Sequence, residues 1–140
     1  MAVLAHATAA EIERELNLHF ADVTLTELRP PEVGLVMLRG RICGDGAPFN
    51  LGEATVTRAV IRLSTGETGF AYSFGRDAKK ARLAALCDAL WQKQSCRRDL
   101  EQNVLMPLRR AQEQRLDLAR AQTAATRVDF FTLVRGEDDT

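Results

Sequence analysis

The stretch from Gly34 to Phe74 most limits what this chain can fold into, because three of its segments alternate in character with a period of two. Gly34 to Cys43 puts Val36, Leu38 and Ile42 on one side and Met37, Arg39 and Arg41 on the other. Ala54 to Leu63 sets Thr57, Ala59, Ile61 and Leu63 against Val56, Arg58, Val60 and Arg62. Gly69 to Phe74 turns Phe70, Tyr72 and Phe74 to one side, and Ser64-Thr65-Gly66-Glu67 before it has the residues of a tight turn. A shorter alternation, Val23 to Leu28, comes first, and Pro30-Pro31 is expected to stop it. About four antiparallel strands follow, and such a sheet needs one face covered.

The cover is written in the helical period. Asp77 is a good N-cap, and Leu83, Leu86, Cys87, Leu90 and Trp91 then recur on one helical face. Thr8 with Glu11 has capping-box spacing, and Ile12, Leu16, His19 and Phe20 make a second stripe, so a helix is expected from Thr8 to about Ala21. A last helix is expected from Asp99 to about Ala125, kinked or restarted at Pro107. Its part from Arg109 onward offers only Leu116 and Leu118 as large apolar residues, a poor core stripe that suits projection or a partner. The expected fold is α+β, an antiparallel sheet of about four strands with helices mainly on one face.

Length and charge bound the rest. A chain of 140 residues fits one domain, 1–140, with enough interior to need no disulfide staples. Lys+Arg and Asp+Glu both number 19, which argues against a dedicated nucleic-acid binder because phosphate affinity needs excess cations. Met1 to Ala10 lacks the basic region and apolar core of a signal peptide, and no run reaches membrane-span length. Cys43, Cys87 and Cys96 are odd in number and lack CxxC spacing, so a disulfide framework is not expected and a cytoplasmic location is.

Two segments stand out as surfaces for a partner. The C-terminal 126–137 is β-branched and aromatic on both faces if extended: Val128, Phe130 and Val134 against Phe131 and Leu133. Arg127, Asp129, Phe130, Phe131 and Arg135 are its candidate contact residues. Gly44 to Glu53 reads as a ten-residue connection where two to five would do. It either presents Asp45, Phe49, Asn50, Leu51 and Glu53 to a ligand or neighbour, or is a compact loop pinned by Phe49 and Leu51.

Candidate chemistry is sparse. Arg39, Arg41, Arg58 and Arg62 would share one side of two neighbouring strands if these pair in register, making either an anion site or a solvated face with scattered ion pairs. Arg76 precedes a helix N-terminus, where an anion could sit, although Asp77 is also simply a cap. His6 and His19 have no nucleophile, carboxylate or metal-ligand spacing beside them, and Cys87 lies on a core stripe. No catalytic residue and no metal site is therefore assigned, which suits a subunit better than a lone enzyme.

Gly34-Leu35-Val36-Met37-Leu38-Arg39-Gly40-Arg41-Ile42, Gly46 to Glu53 with Thr55-Val56-Thr57-Arg58, Gly75-Arg76-Asp77, and Ala125 to Glu137 together resemble the G-subunit family (PhnG) of the bacterial carbon–phosphorus lyase system. Gly46 to Glu53 and Arg127 to Glu137 are the specific parts. The resemblance implies a place beside the H, I and J subunits in a complex that lets a phosphonate displace adenine from MgATP, yielding α-D-ribose 1-alkylphosphonate 5-triphosphate. It implies nucleosidase chemistry in the I subunit and radical iron–sulfur chemistry in the J subunit. For this chain it implies no catalytic residues, no cofactor of its own, MgATP as the complex's substrate, and the I subunit as the most direct partner.

Overall fold

A computed structural model describes residues 2–127. Two short helices lead, α1 (Ala2–His6) and α2 (Ala9–His19), followed by strands β1 (Leu25–Arg41), β2 (Pro48–Leu63) and β3 (Thr68–Phe74). Helices α3 (Ala78–Gln92), α4 (Gln94–Leu100) and α5 (Met106–Ala125) complete the order. The expected docking segment from Val128 onward lies outside the described residues.

The capping box forms as its spacing requires. The Glu11 N–H donates to the Thr8 hydroxyl at 3.3 Å, and the Thr8 N–H donates to a Glu11 carboxylate oxygen at 2.8 Å. Two of the donors left over at the start of α2 are thereby satisfied. Ile12 and Leu16 are buried and Phe20 is half-buried, but His19 turns out to solvent.

The fold is α+β, and among the described residues the sheet has three antiparallel strands in the order β1-β2-β3, one fewer than expected. Part of the difference lies at Pro30-Pro31, which does not end a strand. Arg29 pairs with Val60 and Glu32 with Arg58, so both prolines bulge opposite Ala59 within a single long β1. A sheet edge tolerates this, because a missing outward N–H there costs no ladder bond. The other part lies in the supposed loop 44–53. Most of it is strand, since β2 begins at Pro48 and pairs with Arg41, leaving only Ile42 to Ala47 as the turn.

Helix α3 covers one face of β2 and β3. Its Asp77 accepts from the Lys80 N–H at 2.9 Å. The residues fully buried along it include Ala81, Ala85 and Ala89, whereas Leu83, Leu86 and Trp91 of the expected stripe are only half-buried. The closest approach is between small groups: a Cβ on Gly69 would collide with the Ala85 carbonyl oxygen and the Ala89 nitrogen. Alanines at i, i+4 and i+8 over a glycine let the helix lie close against the sheet. The leucine stripe turns partly toward the flanking helices. There Ile12, Leu16, Leu90, Leu100, Val104, Leu105 and Leu108 close the core with Ile61 and Leu63. Each fully buried side chain of that size contributes about 1.5–3 kcal/mol.

The last helical rod starts at Gln94, earlier than Asp99, and answers Pro107 with a π turn over Glu101–Leu105. The Met106 N–H reaches back five residues to the Glu101 carbonyl, so the backbone is widened just ahead of a proline that has no N–H and would crowd an α turn. Beyond Glu113 every described residue of α5 is exposed, so its second half projects.

Candidate functional site

Sheet register decides which surfaces remain open. Strand β3 pairs with β2 from Arg62 to Val56, with one further bond from Gly75 to Thr55, so among the described residues Pro48 to Ala54 pair with β1 alone. The result is a two-stranded ribbon with Leu35, Met37, Leu38, Phe49 and Leu51 all exposed. A two-stranded hairpin is marginal in water without a surface to lie on. At its tip Cys43 takes φ 53, Gly46 donates its N–H to the Ile42 carbonyl at 2.8 Å, and the Arg41 guanidinium donates to the Gly46 carbonyl at 3.2 Å.

The partner candidates of the supposed loop are therefore strand residues. The Phe49 ring lies across Gly40, its cross-strand partner, and uses part of its apolar area on the ribbon itself. Asn50 pairs with Arg39 and Glu53 with Met37, while Leu51 is the extra residue of the bulge between them. Asp45 is exposed at the turn. Arg127 ends the described chain, donating its N–H to the Ala124 carbonyl at 3.2 Å. Asp129, Phe130, Phe131 and Arg135 lie outside the described residues.

The four sheet arginines are not brought to one place. Arg58 donates to Glu32 at 3.2 Å and Arg62 to the Thr68 hydroxyl at 3.3 Å. Arg39 lies roughly 23 Å further along β1 from Glu32 at about 3.3 Å per residue, and counting by twos puts it and Arg41 on the opposite side of the ribbon. Arg76 is exposed between β3 and α3, where Asp77 already takes the cap. Neither Arg39 nor Arg76 has an ion pair among the described residues.

Electrostatics elsewhere serve the fold. The Thr8 N–H holds the Glu11 carboxyl below its usual range, against partial desolvation, and the Thr8 hydroxyl and Arg115 add to the effect. Burial pushes the Cys87 thiol up to about 12. Among the described residues no three His, Cys, Asp or Glu side chains cluster as a metal site, and no helix is long and apolar enough to cross a membrane.

One surface escaped sequence reasoning. Phe70, Tyr72 and Phe74 are 58%, 69% and 72% exposed on the sheet face that α3 leaves bare. Their alternation was visible, but which side the helix would cover depends on Gly69 and the alanines of α3.

Fold and surface define the class: a helix-backed, three-stranded α+β domain with an apolar ribbon extending past its third strand. Within that class the chain belongs to the family described as phosphonate metabolism protein PhnG, which matches residues 1–136. It is similar to the alpha-D-ribose 1-methylphosphonate 5-triphosphate synthase subunit PhnG of Rhizobium meliloti (strain 1021). The two are 48% identical over 142 residues, covering 99% of this chain and 88% of that one.

Proposed function

We propose that this chain is a required, non-catalytic subunit of a ribose 1-alkylphosphonate 5-triphosphate synthase acting in cytoplasmic phosphonate catabolism. In that reaction a phosphonate oxygen bonds to the anomeric carbon of the ribose of MgATP, and the bond to adenine breaks. The chain's part is to dock on and support the I subunit, in an assembly that also holds the H and J subunits. The observation that carries this reading is the apolar ribbon of β1 and β2 beyond the third strand, which spends Leu35, Met37, Leu38 and Leu51 on solvent. A patch of that kind marks a protein contact. The relative's name, a synthase subunit, points the same way.

Co-expression with an I-type subunit tests it. Leu35→Ser with Leu51→Ser, and separately removal of residues 127–140, should reduce both co-purification and phosphonate-dependent adenine release. Full association and release by both variants would overturn the docking role. A second reading, arginines lent to a shared active site, draws on Arg39 and Arg76, which have no ion pair among the described residues. Arg→Ala at each, with assembly intact and adenine release unchanged, would remove it.

A further inference from the structure

The outer edge of β3 is unfinished. The Gly75 N–H donates to the Thr55 carbonyl at 2.9 Å, and this sets the phase of the β2–β3 ladder. Ser73, Ala71 and Gly69 exchange bonds with β2, whereas Phe74, Tyr72 and Phe70 direct their main-chain groups away from it. Two contacts agree with that phase. The Phe70 N–H points outward to the Asp88 carboxylate at 2.9 Å, and the Thr68 carbonyl accepts from the Gln92 amide at 2.7 Å. Helix α3 thus caps the first half of the edge. Among the described residues nothing caps Tyr72 or Phe74.

Beside the uncapped half lies a cavity of about 290 Å³ between β3, α1 and α3, walled by Leu4, Ala71, Ser73, Lys80 and Ala84. Its two ends differ in charge. Among the described residues the Lys80 ammonium meets only the neutral Ala5 carbonyl, at 2.7 Å, and Arg76 just past Phe74 has no ion pair. Asp88 marks the opposite end.

We propose that this edge receives an extended segment of a partner polypeptide as the fourth strand of the sheet. The segment is apolar at alternate positions and carries a carboxylate at the Arg76–Lys80 end. This deepens the assembly role proposed above and rests on it. Strand addition satisfies the main-chain groups of Tyr72 and Phe74, which side-chain contact alone would leave unpaired. Side chains on one side of the added strand enter the cavity over Ala71 and Ser73, and those on the other lie against Tyr72 and Phe74. A second copy of this chain fits poorly. Two-fold antiparallel pairing would set the open Phe74 end of one copy against the Phe70 end of the other, which Asp88 and Gln92 already occupy.

Residue-resolved amide exchange on the full chain, alone and in the complex purified with the other synthase subunits, tests the proposal. Phe70 should be slow in both states, while Tyr72 and Phe74 should exchange at least about tenfold more slowly in the complex. Fast exchange at Tyr72 and Phe74 in the assembled complex would overturn the proposal. So would slow exchange in the isolated chain, which would mean that a second copy or residues 128–140 already cover the edge. Tyr72→Pro deletes an outward N–H and no β2 ladder bond, and should weaken association by about tenfold or more while Phe70 stays protected. Tyr72→Phe should bind as the native chain does. Adenine release with this chain omitted scores the functional reading separately, since that reading predicts its loss whatever happens at Tyr72.

Discussion

Replacing Gly69 by alanine should loosen the packing of α3 on the sheet, and the size of the effect can be worked from the contacts. The added methyl would lie 2.9 Å from the Ala89 Cβ, and closer still to the Ala85 carbonyl oxygen and the Ala89 nitrogen. Two of those three atoms are helix backbone, so no side-chain rotation relieves the clash and the helix itself must move. A retreat of about 1 Å would forfeit up to half of each dispersion contact along Ala81, Ala85 and Ala89. Overpacking of this kind costs about 3 kcal/mol, offset by roughly 0.5–1 kcal/mol because alanine restricts the unfolded chain. The net loss of about 2 kcal/mol corresponds to about 8 °C in Tm for a domain of this length. Urea unfolding followed by the fluorescence of Trp91 reads it directly, since the chain has one tryptophan and it sits at the end of α3. Gly34→Ala is the control, because its Cβ would meet nothing within 4 Å. A Gly69→Ala protein as stable as the Gly34→Ala protein would refute the close-approach argument.

Two further outcomes are expected. Thr8→Ala should cost about 1 kcal/mol by opening the capping box. Because folding depresses the Glu11 pKa, its contribution is complete above the unfolded carboxylate value and disappears as pH falls through the lowered folded one. Native stability should therefore fall more steeply than that of Thr8→Ala during acid titration, and parallel curves would contradict the assignment. Cys87 should resist thiol reagents in the native protein at neutral pH while exposed Cys43 reacts. Folding raises its pKa from 9.0 to about 12, so its contribution is present below pH 9 and is lost as pH rises through that window. Mass mapping of labelled cysteines that finds Cys87 modified as fast as Cys43 would refute its burial.

Local pattern alone made much of the architecture legible. The Thr8–Glu11 box, the Asp77 cap and the alternation of residues 54–63 and 69–74 were readable because each depends on neighbours a few residues away. The exposed second half of α5 was also foreseeable, from its lack of a core stripe. Long-range pairing settled the remainder. Pro30-Pro31 reads as a stop until β1 proves to be an edge, where a bulged proline pair loses nothing. Residues 48–53 read as loop because Gly52 and the polar Asn50 and Glu53 hide a strand whose partner lies in Met37–Arg41. The arginines at 39 and 41 alternate along one strand and those at 58 and 62 along the next, yet the pairing of the strands separates the two pairs along and across the ribbon. Short-range rules supply the elements. Which face is buried, which edge stays open and which side chains meet depend on residues brought together across the sheet and helix layer, and no period of two or 3.6 encodes that pairing.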